Sequence, residues 1–396
     1  MKTAILRAKS AWLLTLFLLL CFIVASALVT RTNWSLGPNH MSPFSHAMPE
    51  EDVANLWSAG KLARMGKVDW LYFPNLFETW KRTQFGSALK INDWIYPPTV
   101  LLIGVPLSFL PLFQAYLLWD CATLLIAVLL LRAARLPWPI LIAGLVGPAT
   151  WSTLVLGQYG TLVGALVVAG LLMAPRYPVR AGIMLGFATL KPQPGVIVPV
   201  AWLAVRNWRA IAAAAALFSM MAVTVALSFG IHAWTLFFTR SSLLARDILI
   251  VPPPQPTSST GVSVFWMART MGASVRVSYG AQVVAAMAAI YLVYRAWRIA
   301  RANALARMAF TVCLSLFVTP YGYASDMVAY SVGVAAMVSN NRWRLQPVDI
   351  LLWLWPAYCG LATIFAHVLL TPLILAAAAA RAWHQMRRPD LIGKEP

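Results

Sequence analysis

The sequence predicts an all-α polytopic membrane protein, and three observations carry that prediction. Hydrophobic residues make up 60% of the chain and charged residues 11%, whereas a soluble domain holds about 25% charged residues. The apolar residues fall in blocks of about 15–25, the length that crosses a hydrocarbon core as helix. Lys and Arg gather in the short joints between those blocks, where positive residues mark the cytoplasmic side. The short alternating segments of a membrane barrel are absent, and a bundle of this kind reads as one domain over 1–396.

The formal net charge of +19 follows from that distribution. Lys2/Arg7/Lys9, Arg132/Arg135, Arg176/Arg180, Arg206/Arg209, Arg295/Arg298/Arg301/Arg307, Arg342/Arg344 and Arg381/Arg387/Arg388/Lys394 hold most of the 31 basic residues. The same joints and tail carry only Asp349, Asp390 and Glu395 as acids. Such joints face the cytoplasm, and no nucleic-acid surface is required. Cys21, Cys121, Cys313 and Cys359 all sit inside apolar blocks and read as packing residues. No CxxC pair, HExxH, P-loop or GxSxG elbow occurs. No dense carboxylate cluster occurs either, so neither a tightly bound metal nor a cofactor is expected.

The first apolar block, 11–30, follows a basic tail. Ala25-Ser26-Ala27 resembles a signal-peptidase site, but the run exceeds the usual 7–15-residue signal core and is expected to stay. Residues 31–96 form a long, mixed-charge first outer loop. Within it Pro49-Glu50-Glu51-Asp52 reads as a helix start, with Pro first and acids in the first turn. Val53, Leu56, Trp57 and Gly60 follow at helical spacing. The pattern predicts an amphipathic helix on the outer membrane surface. Residues 97–111 hold four prolines and read as a re-entrant or interfacial segment. Apolar blocks follow at 112–134, 138–155, 158–175, 179–190, 194–206, 209–230, 279–299, 303–319, 325–340, 347–366 and 368–383. With the first block, that predicts about twelve crossings and both termini inside.

Two of these blocks, 179–190 and 194–206, are too short to span alone at about 1.5 Å per residue. They meet at Lys191-Pro192-Gln193-Pro194. Irregular backbone at membrane depth is tolerated where it lines a protein-enclosed cavity, and a lysine there needs an anionic partner. The alternative is a Lys191 that snorkels to the interface. Asp120, inside an apolar block, could brace Lys191 or line the cavity. Gly157-Gln158-Tyr159-Gly160 and the loop from Thr319 to Asp326 face the same outer side under this topology. So does a second outer loop, 231–278, whose Arg240, Arg246, Arg269 and Arg276 are opposed only by Asp247. Gln158, Gln193 and Tyr321 are candidate hydrogen-bonding groups for sugar or phosphate; bridges between helices are their structural alternative.

The order of these motifs resembles glycosyltransferase family 87. Asp52 with VANLWSAG at 53–60, then Tyr96-Pro97-Pro98, is similar to that family's opening. GQYG at 157–160, LKPQPG at 190–195 and Arg206-Asn207-Trp208-Arg209 resemble its middle motifs. Thr319-Pro320-Tyr321 with Asp326 resembles its late one. The resemblance covers about 50–335. It implies a GT-C-type architecture with its site at the non-cytoplasmic face of the plasma (inner) membrane. The implied reaction is inverting transfer of a mannose-like hexose from a polyprenyl-phosphate donor to a glycan or glycolipid hydroxyl. The family expects an aspartate of the first outer loop as base, and Asp52 is the matching position. No histidine stands in the late motif, where Asp326 is the titratable residue that matches. Tyr96, Gln158, Lys191, Gln193, Tyr321, Asp326, Arg240, Arg246 and Arg269 form the expected substrate-binding set.

The chemistry needs one carboxylate to take the acceptor's proton, and cations or dipoles to hold the departing phosphate. Asp52 could serve as the first, and Lys191 with one or more of the loop arginines as the second. From composition alone, Asp52 could equally be a helix-start acid complementing the dipole. A transporter or flippase of lipid-linked sugars is the competing function, since it too uses broken helices near a midplane site.

Overall fold

The computed structural model describes residues 2–35, 51–86 and 93–387. Among them every named element is a helix, apart from one isolated bridge between Gly261 and Tyr323. Pro49 and Glu50 of the expected helix start lie outside the described residues, as do Arg388, Asp390, Lys394 and Glu395 of the tail.

The first helix, α1 (Lys2–Trp34), runs unbroken through Ala25-Ser26-Ala27. It rests against the later helices through Tyr358, whose hydroxyl donates to the Leu18 carbonyl at 2.5 Å. The segment after it gives α2 (Glu51–Arg64) and α3 (Pro74–Phe85). The proline-rich stretch forms only a 3-10 turn and α4 (Leu101–Leu107), too short to span. Next come α5 (Leu112–Ala133), α6 (Trp138–Leu145), α7 (Pro148–Leu156), α8 (Gly160–Met173), α9 (Pro178–Ala188), α10 (Val198–Ala204) and α11 (Trp208–Phe229). The segment after α11 carries α12 (His232–Leu236), α13 (Ser242–Ile250), α14 (Pro256–Thr260) and α15 (Val264–Thr270). Five longer helices close the chain: α16 (Val275–Trp297), α17 (Ala304–Ser315), α18 (Val328–Asn340), α19 (Pro347–Ala366) and α20 (Thr371–Gln385).

Among the described residues five helices are long and apolar enough to cross a membrane: the Ser10–Thr32 part of α1, then α5, α11, α16 and α19. The α6–α7 pair, bent by 54° around Gly147-Pro148, makes a sixth if it counts as one span. The protein is therefore an α-helical, multi-pass membrane protein, but the expected count of about twelve is not reached by this measure. Burial explains the shortfall. Helices α8, α17 and α18 are buried over nearly their whole length, as befits helices apolar all round. Their ends meet protein rather than hydrocarbon, so the length that lipid demands does not apply to them. The peripheral helices instead turn Phe17, Leu129, Leu227 and Val284 outward.

Helix ends gather at two poles. The C-termini of α5 and α8 meet the N-terminus of α17 at the arginine-rich joints, where Asn340 of α18 also donates to Asn303 at 3.0 Å. At the other pole the starts of α2, α8 and α18 converge. Helix α2 is not a surface helix of the membrane: Val53 to Gly60 are all buried, because α4 packs across it. A Cβ at Gly60 would collide with the Gly104 carbonyl, so the two backbones touch.

Candidate active site

The site is assembled from four chain segments that local signals bring to one pole. Helix α7 ends in a Schellman turn. Gly157 takes the left-handed conformation at φ 66°, and the Gln158 N–H donates to the Thr153 carbonyl at 2.8 Å, closing the six-residue ring of that cap. This turn aims the Gln158 side chain at α2. Helix α9 stops at Ala188 because Pro192 and Pro194 cannot continue it. Lys191 is left in the break, its N–H on the Ala188 carbonyl at 3.1 Å. Before α18, a 3-10 turn over Ala324–Met327 holds Asp326.

These residues form one continuous relay. Gln158 Nε2 donates to Asp52 Oδ2 at 2.6 Å. Lys191 Nζ donates to Gln158 Oε1 at 2.9 Å and pairs with Asp326 Oδ1 at 2.6 Å. The Tyr323 backbone N–H donates to the other oxygen, Asp326 Oδ2, at 3.0 Å. Lys191 is 5% exposed and Asp326 1%, so each charge is held by the other. Lys191 therefore neither snorkels nor pairs with Asp120. Asp52 and Gln158 are half-buried, which leaves the Asp52 end of the relay in reach of solvent. Asp52 also sits in the first turn of α2, where the helix dipole favours a carboxylate.

An aromatic chain flanks the relay. Trp94, Tyr96, Tyr159 and Trp119 follow one another with ring centroids 5.4, 5.2 and 5.3 Å apart. Burial, then the charge of Asp52, pushes the Tyr96 hydroxyl well above its ordinary range, and its contact with Gln158 opposes that only in part. Trp119 Nε1 donates to the Gly157 carbonyl at 3.0 Å, clamping the turn that carries Gln158. Thr153 Oγ1 donates to the Ser325 carbonyl at 3.1 Å, which joins that turn to the Asp326 segment.

The remaining expected residues lie around rather than in the relay. Gln193 is half-buried in the break, and its Oε1 is buried without a hydrogen-bond partner among the described residues. Tyr321 packs on a second small cluster of Leu249, Phe265, Trp266 and Leu369, and burial pushes its hydroxyl up to about 12. Arg240 is exposed over the Phe73 ring, and Arg246 is exposed. Arg269 spends its guanidinium on the carbonyls of Ala273, at 3.0 Å, and Ile250, at 3.3 Å. No hydrogen bond or ion pair among the described residues joins these three arginines to the relay. Tyr323, Trp119 and Tyr159 are members that sequence reasoning passed over. Tyr159 stood inside the GQYG motif and Tyr323 inside the Thr319–Asp326 loop, whereas nothing local marked Trp119.

Comparison with known proteins bears on the family. The sequence model of glycosyltransferase family 87 matches residues 94–320. That interval includes Tyr96, Gln158, Lys191 and Gln193, begins after Asp52 and stops before Asp326. A search of curated proteins and a search of solved structures return no match. Since the family match spans more than half of a multi-pass helical membrane chain, the protein belongs to glycosyltransferase family 87 and is a membrane glycosyltransferase.

Proposed function

We propose that the enzyme transfers a mannose-like hexose from a polyprenyl phosphate to an acceptor hydroxyl on a glycan or glycolipid, with inversion. The observation that carries this reading is the Asp52–Gln158–Lys191–Asp326 relay, which ties a solvent-reachable carboxylate to a buried ammonium through one amide. Asp52 takes the proton of the acceptor hydroxyl as its oxygen attacks the anomeric carbon. The bond from that carbon to the phosphate oxygen breaks, and the lipid phosphate leaves with the electron pair.

Lys191 suits the leaving side. An ammonium has three N–H groups; two are spent on Gln158 and Asp326, and the third is left for a phosphate oxygen. Because Asp326 already balances its charge, Lys191 offers the phosphate a directed donor rather than an uncompensated cation. Tyr96, half-buried beside Gln158, presents a ring edge and hydroxyl to a sugar. The basic joints support a cytoplasmic assignment for their pole, and with it the reading that the relay serves the periplasmic or exterior face of the plasma (inner) membrane. On the same rule the short enclosed helices, counted with the long ones, support about twelve passes.

The test is turnover by purified protein in lipid, offered radiolabelled polyprenyl-phosphate hexoses with a membrane extract as acceptor. Asp52→Asn, which keeps the shape and the Gln158 contact, is expected to lower transfer by about 10²–10⁴-fold, the worth of a general base. Wild-type turnover in a folded Asp52→Asn protein would remove Asp52 from the chemistry. Label that moves between leaflets without forming a glycosidic bond would establish the flippase instead.

A further inference from the structure

The pole opposite the relay carries two adjoining hollows. One, of about 240 Å³, lies among the ends of α5 and α8 and the start of α17, with Arg135, Arg176 and Arg307 in its wall. The other, of about 390 Å³, is bounded by Arg206, Asn207 and again Arg307. Pro175 and Arg307 line both, and among the described residues no Asp or Glu lines either. Three helices begin here: α9 at Pro178, α11 at Trp208 and α17 at Ala304. Each points the positive end of its dipole at this pole. Asn207 and Asn303 cap the second and third with their side chains, but α9 has no side-chain cap.

Four guanidinium groups and three helix starts thus surround a concave, acid-free surface. Two of the arginines are kept against local preference. Arg135 and Arg206 hold positive φ, at 60° and 55°, in Schellman turns closed by Leu136 N–H on Leu131 and Asn207 N–H on Trp202. Glycine fits that conformation without the cost a β-carbon brings. Tyr177 and Trp208 stand exposed beside the hollows, the placement of aromatics at headgroup depth. Arg307 is steadied over the Trp297 ring at 4.4 Å.

We propose that these hollows seat the phosphate headgroup of an anionic phospholipid from the leaflet at this pole. Headgroup depth selects a membrane lipid over a soluble anion, and the charge selects an anionic lipid over a zwitterionic one. The seat is separate from the glycosyl-transfer site and independent of the reading given to it.

The experiment is native mass spectrometry of the full-length protein through stepwise delipidation, with phosphatidylglycerol and phosphatidylcholine as probes. Wild type is expected to retain phosphatidylglycerol preferentially, and millimolar inorganic phosphate is expected not to displace it. Arg135→Gly/Arg176→Gln/Arg206→Gly, whose glycines relieve the backbone and keep the fold, should bind it about a hundredfold more weakly. Arg180→Gln/Arg209→Gln/Arg298→Gln removes the same charge from the same pole but lines neither hollow, and should retain it. Equal loss in both triple variants would show diffuse attraction and overturn the seat. So would displacement by inorganic phosphate, or a wild type without preference.

Discussion

Gln158 holds the carboxylate of Asp52 and the ammonium of Lys191 at once, donating to the first at 2.6 Å and accepting from the second at 2.9 Å. An amide can do both, because it carries a donor and an acceptor on one planar group. Gln158→Glu would set a second carboxylate beside Asp52. Like charge raises a carboxylate's pKa, so the acid limb of the pH–rate profile is expected to move to higher pH. Gln158→Leu should lower turnover without that displacement, since it adds no charge. Rate profiles of both variants from pH 4 to 8 check this, and an unmoved limb in the Glu variant would uncouple residue 158 from the titrating group.

The buried Lys191–Asp326 pair makes a second prediction, through stability. Removing one partner strands the other charge, which costs about 3–5 kcal/mol. Lys191→Met and Asp326→Asn should each melt well below wild type. Lys191→Met/Asp326→Leu should recover much of the loss in thermal scans while remaining inactive. If the double variant lost the sum of the two single losses, the pair would not be coupled.

Gly157 and Gly66 provide a matched comparison. Both have positive φ, 66° and 70°, so alanine at either place carries a left-handed cost of about 1–2 kcal/mol. Only at 157 would the new methyl group also strike Val53 on the helix of Asp52, and nothing lies near it at 66. Gly157→Ala is expected to lower both melting temperature and kcat, and Gly66→Ala the melting temperature alone. Equal kcat in the two variants would contradict the site geometry.

Lys81 supplies a pH prediction. It is 1% exposed, with Asn55 Oδ1 of α2 at 3.5 Å and Glu78 Oε2 at 3.7 Å. Desolvation lowers its pKa from the usual 10.5 despite Glu78, Asp93 and Glu51 nearby. The unfolded chain then binds more protons than the folded one in the alkaline range below 10.5, so stability rises with pH there. Lys81→Met should flatten that rise, as read from melting temperatures between pH 8 and 10.5. An unchanged slope would assign the dependence to another group.

Much of the bundle was legible because its signals are local. The proline pair after Lys191, the glycine ending α7 and the basic joints each act within a few residues, and the helix ends fall beside them. Partner choice was not local. Lys191 had two aspartates on offer, Asp120 and Asp326, and only the packing of α8 against the start of α18 decides between them. The amphipathic reading of α2 assumed lipid beneath it; the re-entrant α4 covers that face instead. Helix length alone does not reach the expected span count, because short apolar helices such as α8 are wrapped by neighbours. The arginines of residues 231–278 carried a real charge excess, but Arg269 is committed to its own turn.

The break that holds Lys191 also sets a condition on how the enzyme is made. Its ammonium enters the membrane region long before Asp326 leaves the ribosome, and no ion pair can form until α17 and the turn after it have been inserted. Until then the half-built bundle holds a lysine without its carboxylate. The relay therefore closes only once the turn before α18 is in place, and a chain truncated before Asp326 is expected to be a substrate for quality control rather than a partly active enzyme.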